Sequence, residues 1–106
     1  MRQSINESHA TDTIGNPTGG TTTGLGISVK WQDGPLGRGD ERHLPNGAFV
    51  EGVIAAALGR LYFYQTSKFK CRENALAITK LEEAIHWLDH RTQERDGRGV
   101  EGTHEV

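Results

Sequence analysis

The chain has 106 residues, of which 34% are hydrophobic and 14 are glycine, a size and composition that fit one small domain rather than two. Its formal net charge of -2 argues against binding to long nucleic acid, because such binding needs a broad basic surface that displaces counterions. The single cysteine, Cys71, excludes an internal disulfide and a multi-cysteine metal site, so a reducing cytosol is expected.

The N-terminus lacks the basic start and apolar run of a signal peptide, and no stretch approaches the ~20 apolar residues needed to cross a bilayer. We therefore expect a soluble protein that stays where it is made and has no membrane partner.

The first 44 residues divide into two segments. Residues 1–23 are rich in Ser, Thr, Asn and Gly and lack periodic apolar residues, which predicts a flexible N-terminal arm. In residues 24–44, Ile27, Val29 and Trp31 alternate with polar residues, which predicts a short strand or small hairpin. A lone hairpin is marginal in water, so this β segment is expected to pack on something or to pair with another chain.

A first helix is predicted from about Gly47 to about Gln65, because the apolar period changes there from two to about 3.6 residues. Asn46 is available as its N-cap. The predicted core face consists of residues at steps of four and three: Val50, Ile54, Ala57, Leu61 and Tyr64.

A second helix is predicted from about Arg72 to Asp96, ending before Gly97, since glycine readily takes the left-handed conformation that ends helices. The arc that faces the first helix is predicted to contain Ala77, Leu81, Ala84 and Leu88, flanked by Ile78 and Ile85.

The predicted fold class is therefore α+β: a short β segment followed by a long antiparallel two-helix hairpin over residues 45–96. Residues 97–106 form a C-terminal tail.

A second row of residues on the first helix combines small side chains with two phenylalanines: Phe49, Gly52, Ala56, Gly59 and Phe63. Each glycine inside a helix costs ~1 kcal/mol relative to alanine, and this cost is tolerated more easily where another backbone approaches closely. Two interpretations stay open. The row accepts the chain's own N-terminal strand, or it forms a contact between protomers of an oligomer.

The core stripe of the second helix ends in polar residues. Asn74 precedes it, and Arg91 and Arg95 follow it one turn apart, so that both guanidinium groups can point to one phosphate. The plainer interpretation is that arginines favour helix C-termini because of the macrodipole. Asn74 and Arg91 are roughly 25 Å apart along a helix, so a compact ligand can contact both only in an antiparallel assembly with composite pockets.

Other chemical motifs are weak. His86 and His90 are four residues apart but have no evident third ligand, so neither a metal nor another cofactor is expected. No nucleophile, oxyanion hole or acid/base pair emerges, so an enzyme is not expected.

Residues 24–104 resemble the phage helical-hairpin sponge family, which includes the Thoeris and anti-CBASS sponges. The most specific similarity lies in short motifs of the C-terminal half: Glu73-Asn74, Leu81-Glu82-Glu83-Ala84, Arg91-Thr92 and Gly102-Thr103.

The resemblance implies a non-enzymatic protein that sequesters immune second messengers in the cytoplasm of the infected bacterial host. It implies pockets for glycocyclic ADP-ribose between protomers of a dimer or hexamer, and separate sites for cyclic dinucleotides or trinucleotides. The residues that match the glycocyclic ADP-ribose pocket are Tyr64, Asn74, Arg91 and Arg95. Candidates for the larger-nucleotide site or for closing a pocket are Arg38, Arg42 and Thr103.

Two other functions stay open on the sequence. The hairpins could form a structural or adaptor oligomer in which the arginines only cap helices and Tyr64 only packs in the core. A small hydrolase of the same nucleotides is the other alternative, although no catalytic set supports it.

Overall fold

A computed structural model describes residues 1–106 and has the predicted α+β fold. The chain divides into two compact units. One contains Met1–Phe49 together with Gly99–Val106, and the other contains Val50–Arg98.

The first unit contains a three-stranded antiparallel sheet in the order β1-β2-β3. Its strands are β1 (Asn6–Thr11), β2 (Pro17–Gly24) and β3 (Ile27–Trp31). Trp31 anchors the sheet, because its indole Nε1 donates a 2.8 Å hydrogen bond to the Thr22 hydroxyl. Thr22 is 8% exposed and lies opposite Val29 on β3. The apolar side chains of β3 therefore help to bury Thr22 in the middle of β2.

Tight turns join the strands. Asp12 Oδ1 accepts hydrogen bonds from the backbone N–H groups of Ile14 and Asn16, and the bond from Asn16 is the main cause that lowers the pKa of Asp12. Between β2 and β3, the pairing of Gly24 with Ile27 leaves a two-residue turn in which Gly26 has φ +76°, a conformation that favours glycine.

The prediction of a flexible N-terminal arm over residues 1–23 was wrong, because the strands β1 and β2 lie there. These strands pair through backbone hydrogen bonds, and the β-branched threonines of β2 favour the extended conformation. Because every residue of β1 is exposed, the segment has no apolar alternation from which a strand could be predicted. The predicted strand around Ile27, Val29 and Trp31 is confirmed as β3.

The segment after β3 folds back on it. The Asn46 side chain accepts from Asp33 N at 2.8 Å and donates to the Asp33 carbonyl at 2.9 Å. Ala48 N donates to the Lys30 carbonyl at 2.7 Å. The prediction of Asn46 as a helix N-cap was therefore wrong, since its amide group closes this loop instead.

The second unit is the predicted helical hairpin. Its helices are α1 (Val50–Gln65) and α2 (Arg72–Gly97). The helix α1 begins three residues later than predicted. The helix α2 includes Gly97 and so ends one residue later than predicted. The glycine with positive φ that follows it is Gly99, at +77°, rather than Gly97.

The face of α1 that packs against α2 is not the predicted one. Leu58, 5% exposed, is the one buried apolar residue of the chain, and it was absent from the predicted face. Val50 and Ala57 were predicted to be in the core but are exposed, as is Ala77 on α2. Apolar residues surround α1 on almost all sides, so periodicity alone did not identify the buried face. The apolar α2 residues that are half-buried are Ile78, Leu81, Ala84, Ile85 and Leu88.

Much of the apolar surface of the hairpin stays uncovered. On α1, Tyr62 is 45% and Phe63 53% exposed, and on α2, Trp87 is 66% exposed. A Cβ atom added at Gly52 or Gly59 would meet no atom within 4 Å, so the hairpin itself supplies no packing partner for these glycines. Neither helix has the length and hydropathy of a membrane-spanning segment.

Candidate functional site

Tyr64 lies in the last turn of α1 and is half-buried. Its ring lies 5.9 Å from the Phe63 ring, centroid to centroid. The guanidinium carbon of Arg60 lies 4.9 Å from each of these two ring centroids. Tyr64 is therefore part of a small cation–aromatic cluster rather than an isolated ring. Sequence reasoning missed Arg60, although its position one turn before Tyr64 is a usable signal.

The loop of residues 66–71 is held in place by Gln65. Its side-chain amide donates to the Cys71 carbonyl and accepts from Cys71 N, both at 3.1 Å. The Ser67 hydroxyl donates a 2.6 Å hydrogen bond to the Tyr64 carbonyl. These bonds fix the position of Tyr64 relative to the start of α2. Gln65 was also missed, because a glutamine at a helix end carries no distinctive motif.

Asn74 lies in the first turn of α2 and is half-buried. Its backbone N–H donates to the Cys71 sulfur at 3.5 Å, so Cys71 is the N-cap of the helix. Its side-chain Nδ2 donates to the Phe69 carbonyl at 3.4 Å. This bond leaves the side-chain oxygen as an acceptor that a ligand can use.

The two arginines lie near the other end of α2. Arg91 is exposed and forms no hydrogen bond or ion pair within the chain. Arg95 is half-buried in the last turn of the helix. In the same region, Arg98 Nε lies 2.6 Å from Glu94 Oε1.

The structure thus brings Tyr64 and Asn74 to the loop end of the hairpin and Arg91 and Arg95 to its open end. The helix α2 is continuous over 26 residues, so 17 positions separate Asn74 from Arg91, or roughly 25 Å of helix. Within one chain, the four residues do not form one compact pocket.

Arg38 and Arg42 belong to the other unit, where both contact Glu101. Arg42 Nη1 donates to Glu101 Oε2 at 2.7 Å, and Arg42 Nη2 donates to Oε1 at 3.1 Å. Arg38 Nη1 donates to the backbone carbonyl of Glu101 at 2.9 Å. Glu101 was missed by sequence reasoning, since nothing in a lone glutamate of a polar tail predicts its partners.

Thr103 lies in the same tail. Its N–H and its hydroxyl both donate to the Val100 carbonyl, at 3.1 and 2.5 Å. The hydroxyl therefore closes a turn of the tail. Gly37 N donates to the Gly102 carbonyl at 2.8 Å, so the structure brings Arg38, Arg42 and Thr103 into one region.

His86 and His90 both form T-shaped ring contacts with Trp87, at centroid distances of 5.5 and 5.8 Å. The chain contains no group of three or more His, Cys, Asp or Glu residues that could hold a metal ion.

Comparisons with known proteins match most of this chain. The family model described as Acb2/Tad1, hairpin domain, matches residues 26–93. This range includes Tyr64, Asn74 and Arg91, whereas Arg95 and Thr103 follow it. The chain is also 54% identical over 78 residues to a protein named Thoeris anti-defense 1 from Bacillus phage SBSphiJ7. That match covers 74% of this chain and 52% of the relative, so the chain spans about half the length of the curated relative.

Proposed function

Because this chain belongs to the Acb2/Tad1 hairpin domain family, we propose that it is a phage anti-defence protein that sequesters cyclic nucleotide immune signals. The main ligands are glycocyclic ADP-ribose isomers made by TIR proteins, with CBASS cyclic dinucleotides and trinucleotides as a second class. The protein acts in the cytoplasm of the infected bacterial host and releases its ligand unchanged.

The observation that carries the proposal is the separation of the candidate residues between the two ends of the hairpin. Tyr64 and Asn74 lie at the loop end, and Arg91 and Arg95 lie at the open end. Two hairpins side by side in opposite directions place the loop end of one beside the open end of the other. Two copies therefore generate two equivalent composite pockets, as expected for a two-fold symmetric dimer.

The uncovered apolar surface supports such an assembly. A seam of small and aromatic residues begins at Phe49, just before α1, and continues along the helix. All of its residues are exposed in the single chain: Phe49, Gly52, Ala56, Gly59 and Phe63. Contiguous exposed apolar surface of this kind marks interaction sites. The proposed assembly is a homo-oligomer, either a dimer or a hexamer.

The side chains suit a cyclic ADP-ribose. Tyr64 offers a ring on which adenine stacks, and the Asn74 side-chain oxygen accepts a hydrogen bond from a base edge or ribose hydroxyl. Arg91 has no partner within the chain. It and Arg95 form ion pairs with the pyrophosphate. Charge pairing of this kind is stronger in an enclosed pocket between two chains than in water.

A calorimetric screen of cyclic ADP-ribose isomers and cyclic oligonucleotides tests the proposal. We expect at least one glycocyclic ADP-ribose isomer to bind tightly, with one ligand per composite pocket. Absence of heat with every probe at high micromolar concentration would contradict a sponge and leave the structural or adaptor oligomer as the better description.

A further inference from the structure

The guanidinium group of Arg60 lies in a cleft between two aromatic rings of α1. Its central carbon is 4.9 Å from the centroid of the Phe63 ring and 4.9 Å from that of the Tyr64 ring. The two ring centroids are 5.9 Å apart, and the ring planes are inclined by 50°. Phe63 and Tyr64 follow Arg60 by three and four residues, the spacing that brings side chains together on one face of a helix. The cation is therefore held from two sides.

No carboxylate neutralises this cation. Arg60 is exposed, and it forms no hydrogen bond or ion pair within the chain. The one acidic residue of α1 is Glu51, nine positions earlier and roughly 14 Å away along the helix. Stacking on aromatic faces is a typical contact of arginine, and here the two rings are the partners of the guanidinium group.

The Tyr64 ring depends on this contact, because its hydroxyl does not anchor it. The neighbouring Tyr62 hydroxyl donates a 2.7 Å hydrogen bond to the Glu82 carboxylate, whereas the Tyr64 hydroxyl forms no hydrogen bond within the chain. The Ser67 hydroxyl donates to the Tyr64 carbonyl, which fixes the backbone and leaves the side-chain torsions free. The orientation of the ring is therefore set by packing against its neighbours, including the guanidinium group that lies over it.

We propose that Arg60 is a positioning residue for ligand binding, which covers one face of the Tyr64 ring and presents the other face to a purine base. This inference rests on the proposed function, since it requires that a base of the nucleotide stacks on Tyr64. Fixing the ring before the ligand arrives lowers the ordering cost of binding. The cation acts on the ligand only through the ring, so its effect should disappear when the ring is removed.

The test is a double-mutant cycle, measured by calorimetry with a glycocyclic ADP-ribose. Arg60→Met keeps a long unbranched side chain and a similar helix propensity but removes the charge. We expect it to weaken binding roughly threefold to tenfold when Tyr64 is present and by less than about twofold in a Tyr64→Leu chain. An equal loss in both chains, or no loss in either, would overturn the proposal.

Two further variants control for the loss of charge. Lys80→Met removes a cation from α2, where the Lys80 side chain is 75% exposed, and it should change affinity by less than about twofold. Arg60→Lys keeps a cation that can lie over a ring, so it should retain more affinity than Arg60→Met. A lysine variant that binds as weakly as the methionine variant, or a Lys80 variant that loses as much affinity as Arg60→Met, would contradict the positioning role.

Proton NMR of the ligand-free chain separates this inference from the proposed function. Ring currents should shift the Arg60 Hδ protons upfield, and Tyr64→Leu should move them back towards ordinary arginine values. Unshifted Hδ protons in the wild-type chain would overturn the inference without any ligand. A wild-type chain that binds no glycocyclic ADP-ribose contradicts the proposed function and this inference together, whereas binding with additive effects of the two substitutions contradicts this inference alone.

Discussion

The Tyr62 hydroxyl donates a 2.7 Å hydrogen bond to the Glu82 carboxylate, linking the middle of α2 to the end of α1. Tyr62 is 45% exposed, so this bond lies at the edge of the contact between the helices. Hydrogen bonding to Glu82 is the main cause that raises the pKa of Tyr62 above 10.0, because an ionised tyrosine could no longer donate to a carboxylate.

This bond predicts an alkaline loss of stability. A raised pKa in the folded state means that the folded chain keeps its proton longer than the unfolded chain. The contribution is therefore fully present below pH 10.0 and is lost as the pH rises through the folded pKa of Tyr62.

Absorbance titration can isolate Tyr62, because the chain has only two tyrosines. In a Tyr64→Phe background, the ionisation midpoint should lie above 10.0, and Glu82→Gln should move it downwards. A midpoint at or below 10.0 in the folded Tyr64→Phe chain, or one that Glu82→Gln leaves unchanged, would show that the bond does not persist in solution.

Arg91→Ala and Arg95→Ala should each weaken binding of a glycocyclic ADP-ribose by roughly tenfold to a hundredfold, the usual effect of losing hydrogen bonds to a charged group. Calorimetry measures the affinity, and light scattering checks that the oligomer is intact. Lys80→Ala is the matched control, since Lys80 lies on α2 with its side chain 75% exposed. If the arginine variants bind as tightly as the Lys80 variant, the arginines serve only the helix end.

Gly59→Leu should separate helix stability from assembly. Open space surrounds Gly59 within the hairpin, and glycine is ~0.8–1 kcal/mol less favourable than the best helix formers, so the isolated helix should gain stability. The added side chain should nevertheless weaken self-association if another backbone packs on this seam.

Sedimentation velocity over a range of protein concentrations measures this effect. Gln93→Leu provides the comparison, because it adds similar bulk at an exposed position on α2. A Gly59→Leu chain that associates as strongly as the Gln93→Leu chain would show that the seam is not an interface.

The sequence predicts the hairpin well because strong local signals agree there. The helical period and the break over residues 66–71 locate both helices to within a few residues. The α1 surface is harder to predict, because Leu58 is buried while Val50 and Ala57 are exposed. On a helix that is apolar on most sides, the choice of buried face depends on tertiary packing rather than on periodicity.

The sheet and the tail show where sequence reasoning fails. The strand β1 has no buried side chain, so its structure depends on backbone pairing with β2, which leaves no periodic pattern. The contacts of Glu101 with Arg38 and Arg42 join residues about 60 positions apart. Local spacing carries no information about such a pair, whereas Tyr64 and Asn74 both lie beside the one short loop that connects their helices.

A sponge retains its ligand intact, so recovery of the bound ligand distinguishes sequestration from hydrolysis. The chain is incubated with a glycocyclic ADP-ribose, free ligand is removed by filtration, and the protein is denatured by heat before mass spectrometry of the released small molecule. We predict that the ligand is depleted from the filtrate and recovered unchanged after heating. Recovery of a cleaved product would identify a hydrolase, and a filtrate that keeps all of the ligand would contradict sequestration.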